Sequence, residues 1–90
     1  MERFHVLIKG DIQGVFYRAF IKERAEELKL TGYTKNLDRD KIEIIVEGHE
    51  AKIKNFLEVI KQGPVNAEVE EFKTTRQKFT GEFSKFSVKY

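Results

Sequence analysis

The chain has no cysteine and only two histidines, His5 and His49, which are far apart in sequence. The first absence excludes a disulfide framework and a thiolate metal site. The second removes any histidine pair at ligand spacing, so a metal site is not expected. No apolar run approaches the ~20 residues of a membrane span, and no apolar leader segment separates Met1 from the first strand pattern. These features predict a soluble, cytoplasmic chain with no membrane partner. Charge of one sign is also lacking in excess: 17 basic and 15 acidic residues are interspersed and leave a formal charge of +2. Such a balance favours solubility and gives no electrostatic signature of nucleic acid. Ninety residues fit one domain with one modest core, spanning residues 1–90.

What is present is strong periodicity. Phe4, Val6 and Ile8 alternate with polar neighbours over residues 3–9, and Leu7 on the other face suggests a central strand. Tyr17, Ile21, Ala25 and Leu28 then recur at helical spacing, with Phe20 at the edge of the stripe. Gly32 reads as the helix exit. Residues 33–37 and 41–47 read as a hairpin around a polar turn, with Ile42, Ile44 and Val46 on one face. Ile53, Phe56, Leu57 and Ile60 define a second helix, ended by Gly63-Pro64. Residues 65–74 read as a fourth strand in which Val69 and Phe72 share a face if a bulge falls near Glu70-Glu71 or if the segment is short and irregular. Residues 75–81 read as a polar loop, and Phe86, Val88 and Tyr90 alternate in a final strand suited to an edge. The order predicts an α+β, ferredoxin-like split βαβ sandwich: an antiparallel sheet of four to five strands with two helices on one face.

Between the first strand and first helix lies Gly10-x-x-Gln13-Gly14-Val15-x-x-Arg18. Glycines let the backbone turn its N–H groups toward one point, and a helix start adds unpaired donors and a positive dipole end, which together suit an anion. Arg18 supplies a planar guanidinium that matches phosphate oxygens. Taken alone, two glycines and one arginine fit a plain tight turn with a solvated arginine better than a ligand site. Asn36 stands 18 residues after Arg18, at the end of the second strand, where the returning chain can bring it beside the loop. Alone, it reads as a strand-end residue bonded to its neighbours. The set contains a cation and a neutral amide but no general base, because neither histidine nor any serine falls in it.

The loop resembles the first signature of the acylphosphatase family, and Gly32-Tyr33-Thr34-Lys35-Asn36 resembles its second. Two motifs at family spacing are far more specific than one. The similarity extends along the chain to Phe86-Ser87-Val88-Lys89-Tyr90, and a fifth strand there is what the resemblance implies. Departures are Ile12 and Ile42 for valine, Tyr17 for phenylalanine or methionine, Thr34 for a small apolar residue, and Asp40 for a hairpin glycine at a turn expected to need positive φ.

By resemblance, the backbone N–H groups of Ile12, Gln13, Gly14, Val15, Phe16, Tyr17 and Arg18, with the Arg18 side chain, bind the phosphoryl group of a small acyl phosphate. Asn36 orients the attacking water, and no metal or cofactor takes part. The implied activity is hydrolysis of the carboxyl–phosphate bond by a monomer. A non-catalytic module that binds a phosphorylated metabolite or partner through the same loop is the alternative. An RNA-binding domain is disfavoured, because Glu43, Ile45 and Glu47 occupy the outward positions of the third strand and would repel a phosphate backbone.

Overall fold

The computed structural model describes residues 1–12 and 14–90, the side-chain surroundings of Gly14 and Val15 aside. Its elements are β1 (Glu2–Asp11), α1 (Gly14–Glu27), β2 (Thr31–Asp38), β3 (Lys41–Gly48), α2 (Glu50–Gln62), β4 (Glu68–Gln77) and β5 (Phe86–Lys89). The strands form one sheet in the order β4-β1-β3-β2-β5. Both helices cover the face that carries Val6, Ile8, Ile42, Ile44 and Val46, and Tyr17, Ile21, Ala25, Ile53, Phe56 and Ile60 descend onto it. Burying each large aliphatic or aromatic side chain here stabilises the fold by roughly 1.5–3 kcal/mol, so the two amphipathic stripes set which face is covered. The Tyr17 hydroxyl donates to the Ile60 carbonyl and ties the start of α1 to the last turn of α2.

The sheet is antiparallel except at one edge, where β5 pairs parallel with β2. Topology explains the exception. β4 leaves the sheet at the end where β2 begins, and residues 78–85 carry the chain across the uncovered face, over four strand spacings of about 4.8 Å, to start β5 alongside β2. β4 itself runs to Gln77, three residues beyond the predicted 65–74, and starts only at Glu68. Val65 is wholly exposed in the connection that precedes it. The bulge expected near Glu70-Glu71 is present: Lys9 pairs with Glu71 and Gly10 with Val69, so Glu70 is the extra residue and both Val69 and Phe72 pack against the core. Gly10 is needed opposite this bulge, where a Cβ would meet the Glu68 carbonyl oxygen at 2.0 Å.

The exit of α1 differs from the sequence expectation. It closes at Lys29, whose φ is 57°, with Leu30 N–H donating to the Ala25 carbonyl (2.9 Å) and Lys29 N–H to that of Glu26 (3.0 Å). That bond pair is a Schellman motif with lysine at the position glycine usually occupies. Gly32 lies inside β2, where a Cβ would meet the Ile45 carbonyl oxygen at 1.8 Å. We expect Lys29→Gly to stabilise the protein by up to about 1 kcal/mol, because it relieves the left-handed strain of an L-residue. Chemical denaturation of the two proteins checks this, and a lower midpoint for the variant would contradict it.

The segment 78–85 is fastened by a carboxylate. Glu47, almost fully buried on β3, accepts from Thr80 N–H (3.0 Å), Gly81 N–H (3.2 Å) and the Thr80 hydroxyl (3.1 Å), and it pairs with Arg3 at 3.1 Å. Arg3 also bridges to Glu82 at 2.8 Å. Glu47 and Ile45 are thus covered, which corrects the outward, repelling role expected of them on the third strand. Burial, the largest influence, pushes the Glu47 pKa up, but these donors outweigh it and hold the carboxyl below the usual range. A carboxyl whose pKa is lowered by folding stabilises the protein above its unfolded value of about 4.3 and loses that contribution as pH falls through the folded value. Melting temperature should therefore drop below about pH 4.5. Glu47→Gln should flatten that acid limb while costing about 1–3 kcal/mol at pH 7, and thermal melts across pH read both effects.

Candidate active site

Only Ile12 and Gln13 separate β1 from α1, so Gly10 and Asp11, read from sequence as part of the turn, belong to the strand. The Gly10 N–H is directed sideways to the Asp40 carbonyl (3.0 Å) and closes the sheet at this end. Ile12 is a core residue. Gln13 lies outside the described residues. From Gly14 onward the backbone is helical, so the N–H groups of Gly14, Val15, Phe16 and Tyr17 are the four first-turn donors that have no carbonyl partner within a helix. The start of α1 presents them, with the positive end of the helix dipole, at the sheet edge where β1 ends.

Arg18 lies one residue into α1 beyond those donors and is 9% exposed, yet its Nε is buried without a hydrogen-bond partner. Its guanidinium carbon stands 5.0 Å from the Tyr90 ring centroid, a cation–π contact on one face of the group. Ala19, Lys22, Val88 and Tyr90 complete a cleft of ≈ 210 Å³ around it. Asn36 is carried by β2, opposite Ile42 of β3, and so faces the helix-covered side that α1 packs on. Its Oδ1 is also buried and unpartnered. Thr34, two residues earlier on the same face, is fully buried with its Oγ1 unpartnered as well.

Buried polar atoms in a folded protein are nearly always bonded, and a lone orphan costs about 1–3 kcal/mol. Four such side-chain atoms occur among the described residues, all on α1 and β2: Arg24 Nε lies near the end of α1 in a guanidinium paired with Glu23 and Glu27, whereas Arg18 Nε lies near its start and Thr34 Oγ1 and Asn36 Oδ1 on β2. Both predicted site residues, one cationic donor and one amide, thus carry unpartnered buried atoms on two elements that pack together, α1 and β2. Sequence reading treated Thr34 as a shape-preserving replacement, and only the fold shows that its hydroxyl shares the buried face. The contact between Tyr90 and Arg18 also escaped the sequence, because it depends on where β5 pairs.

Acid–base groups are sparse here. Burial pushes the Tyr17 hydroxyl well above its ordinary pKa, and it is committed to the Ile60 carbonyl, so it stays protonated and structural. His5 lies on the opposite face of the sheet, paired with Glu43 at 2.9 Å, and Glu43 also accepts from the Tyr33 hydroxyl at 3.1 Å. Asp40, expected at a positive-φ turn position, does not need one: Lys29 is the only non-glycine residue at positive φ among those described. No group of three His, Asp or Glu side chains able to hold a metal occurs among the described residues, and no described helix is long and apolar enough to cross a membrane.

The fold is a ferredoxin-like α+β sandwich in which the first-turn N–H groups of α1 lie beside the end of β1. The acylphosphatase family model matches residues 4–88. An acylphosphatase of Methylococcus capsulatus is 39% identical over 88 residues, covering 98% of this chain and 96% of that protein. The crystal structure of acylphosphatase from Bacillus subtilis superposes with a TM-score of 0.93 at 31% identity, with all of both chains covered. The phosphate- and nucleotide-bound structure of full-length HypF contains a similar unit: TM-score 0.89 at 27% identity, spanning 99% of this chain but 12% of that one. The chain belongs to the acylphosphatase family and is a hydrolase of that kind.

Proposed function

We propose that the chain hydrolyses the carboxyl–phosphate bond of small acyl phosphates, with the phosphoryl group held at the start of α1 and the water placed by Asn36. The observation that carries this reading is that the buried polar atoms Arg18 Nε, near the start of α1, and Thr34 Oγ1 and Asn36 Oδ1, on the helix-covered face of β2, have no hydrogen-bond partner. First-turn N–H groups of residues 14 to 17 accommodate phosphoryl oxygens, and the Arg18 guanidinium neutralises their charge. Asn36 Oδ1 accepts a hydrogen bond from the attacking water and aims the water's lone pair at phosphorus. The water oxygen forms the new P–O bond as the bond to the acyl oxygen breaks. The carboxylate departs with the electron pair, and the water's proton passes to a phosphoryl oxygen. Because the leaving group is already a stable anion, no protein acid is required, which suits a helix start whose Tyr17 hydroxyl is tied to a carbonyl. Phosphoryl transfer of this sort depends on positioning and charge stabilisation.

Phosphate release from benzoyl phosphate by the purified chain, in buffer containing a strong chelator, tests the reading. Steady turnover is expected, with inorganic phosphate as a competitive inhibitor. Binding of phosphate without turnover would instead favour a module that only recognises phosphorylated ligands. Turnover that vanishes with chelator and returns with one specific ion would overturn the metal-independent scheme.

A further inference from the structure

Thr34 is fully buried on the helix-covered face of β2, and the reaction scheme above gives its hydroxyl no role. By resemblance the residue usual here is small and apolar, so the hydroxyl is particular to this chain. A valine of nearly the same shape would fill the space without burying a polar group, so the hydroxyl calls for a partner.

The strand register supplies two. Thr34 pairs with Ile44 of β3 and Asn36 with Ile42, so the two side chains are alternate residues on one face. Alternate residues of a strand stand about 6.6 Å apart, within the combined reach of a hydroxyl and an amide that lean toward each other. On its other side Thr34 pairs with Val88 of β5, and Val88 lines the cleft that holds the Arg18 side chain. The hydroxyl thus has Asn36 as its neighbour along the strand and Arg18 over the adjoining one.

The three unpartnered atoms also match in kind. Arg18 Nε only donates, Asn36 Oδ1 only accepts, and a hydroxyl does both. A hydroxyl that accepts from the Arg18 Nε–H has its own proton left for Oδ1, whereas an amide turned to present Nδ2 would leave that proton unused. The amide oxygen carries a second lone pair, which remains for the attacking water.

We infer that Thr34 is a positioning residue: with substrate bound, its hydroxyl accepts from Arg18 Nε–H and donates to Asn36 Oδ1, which fixes the orientation of the amide that places the water. The inference rests on the catalytic reading of the site given above. It couples the phosphate clamp to the water-placing amide through one buried group, and Thr34 acts on the reaction only through Asn36.

The test measures kcat, KM for benzoyl phosphate and the inhibition constant of inorganic phosphate in wild type, Thr34→Val, Thr34→Ser, Asn36→Ala and the double variant that combines Thr34→Val with Asn36→Ala. Thr34→Val is expected to lower kcat roughly five- to twentyfold with KM and the phosphate constant within about twofold, because a misaimed nucleophile slows the chemical step and leaves ground-state binding alone. Its denaturation midpoint should not fall, since valine fills the same space with no polar group to satisfy. Thr34→Ser keeps the hydroxyl and loses a methyl, so it should hold kcat within about threefold of wild type despite a lower midpoint. In the Asn36→Ala background, Thr34→Val should change kcat by less than about twofold, as expected of groups that act in series. A Thr34→Val kcat within about twofold of wild type, a serine variant no faster than the valine one, or a further loss of about fivefold or more in the double variant each overturns the positioning role while leaving the catalytic reading standing. A wild type that does not hydrolyse benzoyl phosphate overturns that reading, and the positioning role with it.

Discussion

Arg18→Ala is expected to lose at least about 10³-fold in turnover, the scale at which removal of a charge-stabilising arginine affects phosphoryl transfer. In the folded protein this guanidinium is nine-tenths buried, stacked on Tyr90, and left with an unpartnered Nε. Such a group is costly to hold without a ligand, so the variant should fold as stably as wild type or more so, trading function for stability. Inorganic phosphate should raise the melting temperature of wild type, because a ligand that binds only the native state stabilises it by mass action, and should fail to raise that of Arg18→Ala. Arg18→Lys should recover less than about tenfold, since an ammonium cannot reproduce parallel planar donors. A variant that keeps half the wild-type rate would remove Arg18 from the mechanism.

Asn36→Ala is expected to lower kcat by about 10²-fold or more while leaving the phosphate inhibition constant nearly unchanged. The separation follows from the distinct placements. Arg18 belongs to the helix that carries the anion donors, whereas Asn36 stands on β2 with its amide oxygen unpartnered. Asn36→Asp keeps the shape but sets a negative charge near the phosphoryl oxygens, so it should weaken phosphate binding as well as rate. Asp40→Gly is the control at the same end of the sheet: its backbone does not occupy positive φ, so glycine brings only extra unfolded-state entropy, a loss of no more than about 1 kcal/mol, with turnover unchanged. A wild-type kcat in Asn36→Ala would show that water is placed by another group, and the buried Thr34 hydroxyl on the same face would be the next to test.

The architecture was legible because its signals are local. The alternation of Val6 and Ile8 and the helical spacing of Tyr17, Ile21 and Ala25 each mark one buried face, and each is decided within a few residues of chain. The bulge at Glu70 was legible for the same reason, since Val69 and Phe72 can share a face only with one extra residue between them. The helix exit was misplaced because lysine in a left-handed cap carries no compositional mark, while Gly32 carries a false one: its missing Cβ serves the neighbouring strand's carbonyl. The start of β4 was drawn too early at Val65, an apolar residue that faces a cleft instead of a core.

The sequence by itself determined the element order and the covered face, because hydrophobic period is a property of contiguous chain, and its short motifs nominated Arg18 and Asn36. Only the tertiary structure decided which groups lack partners, that residues 78–85 cover Glu47, that Tyr90 stacks on Arg18, and that Phe16 and Val65 line one cleft. Each of those depends on the strand order β4-β1-β3-β2-β5, which joins residues tens of positions apart. Burial and orphaned hydrogen-bonding capacity arise between elements, and no stretch of sequence contains them.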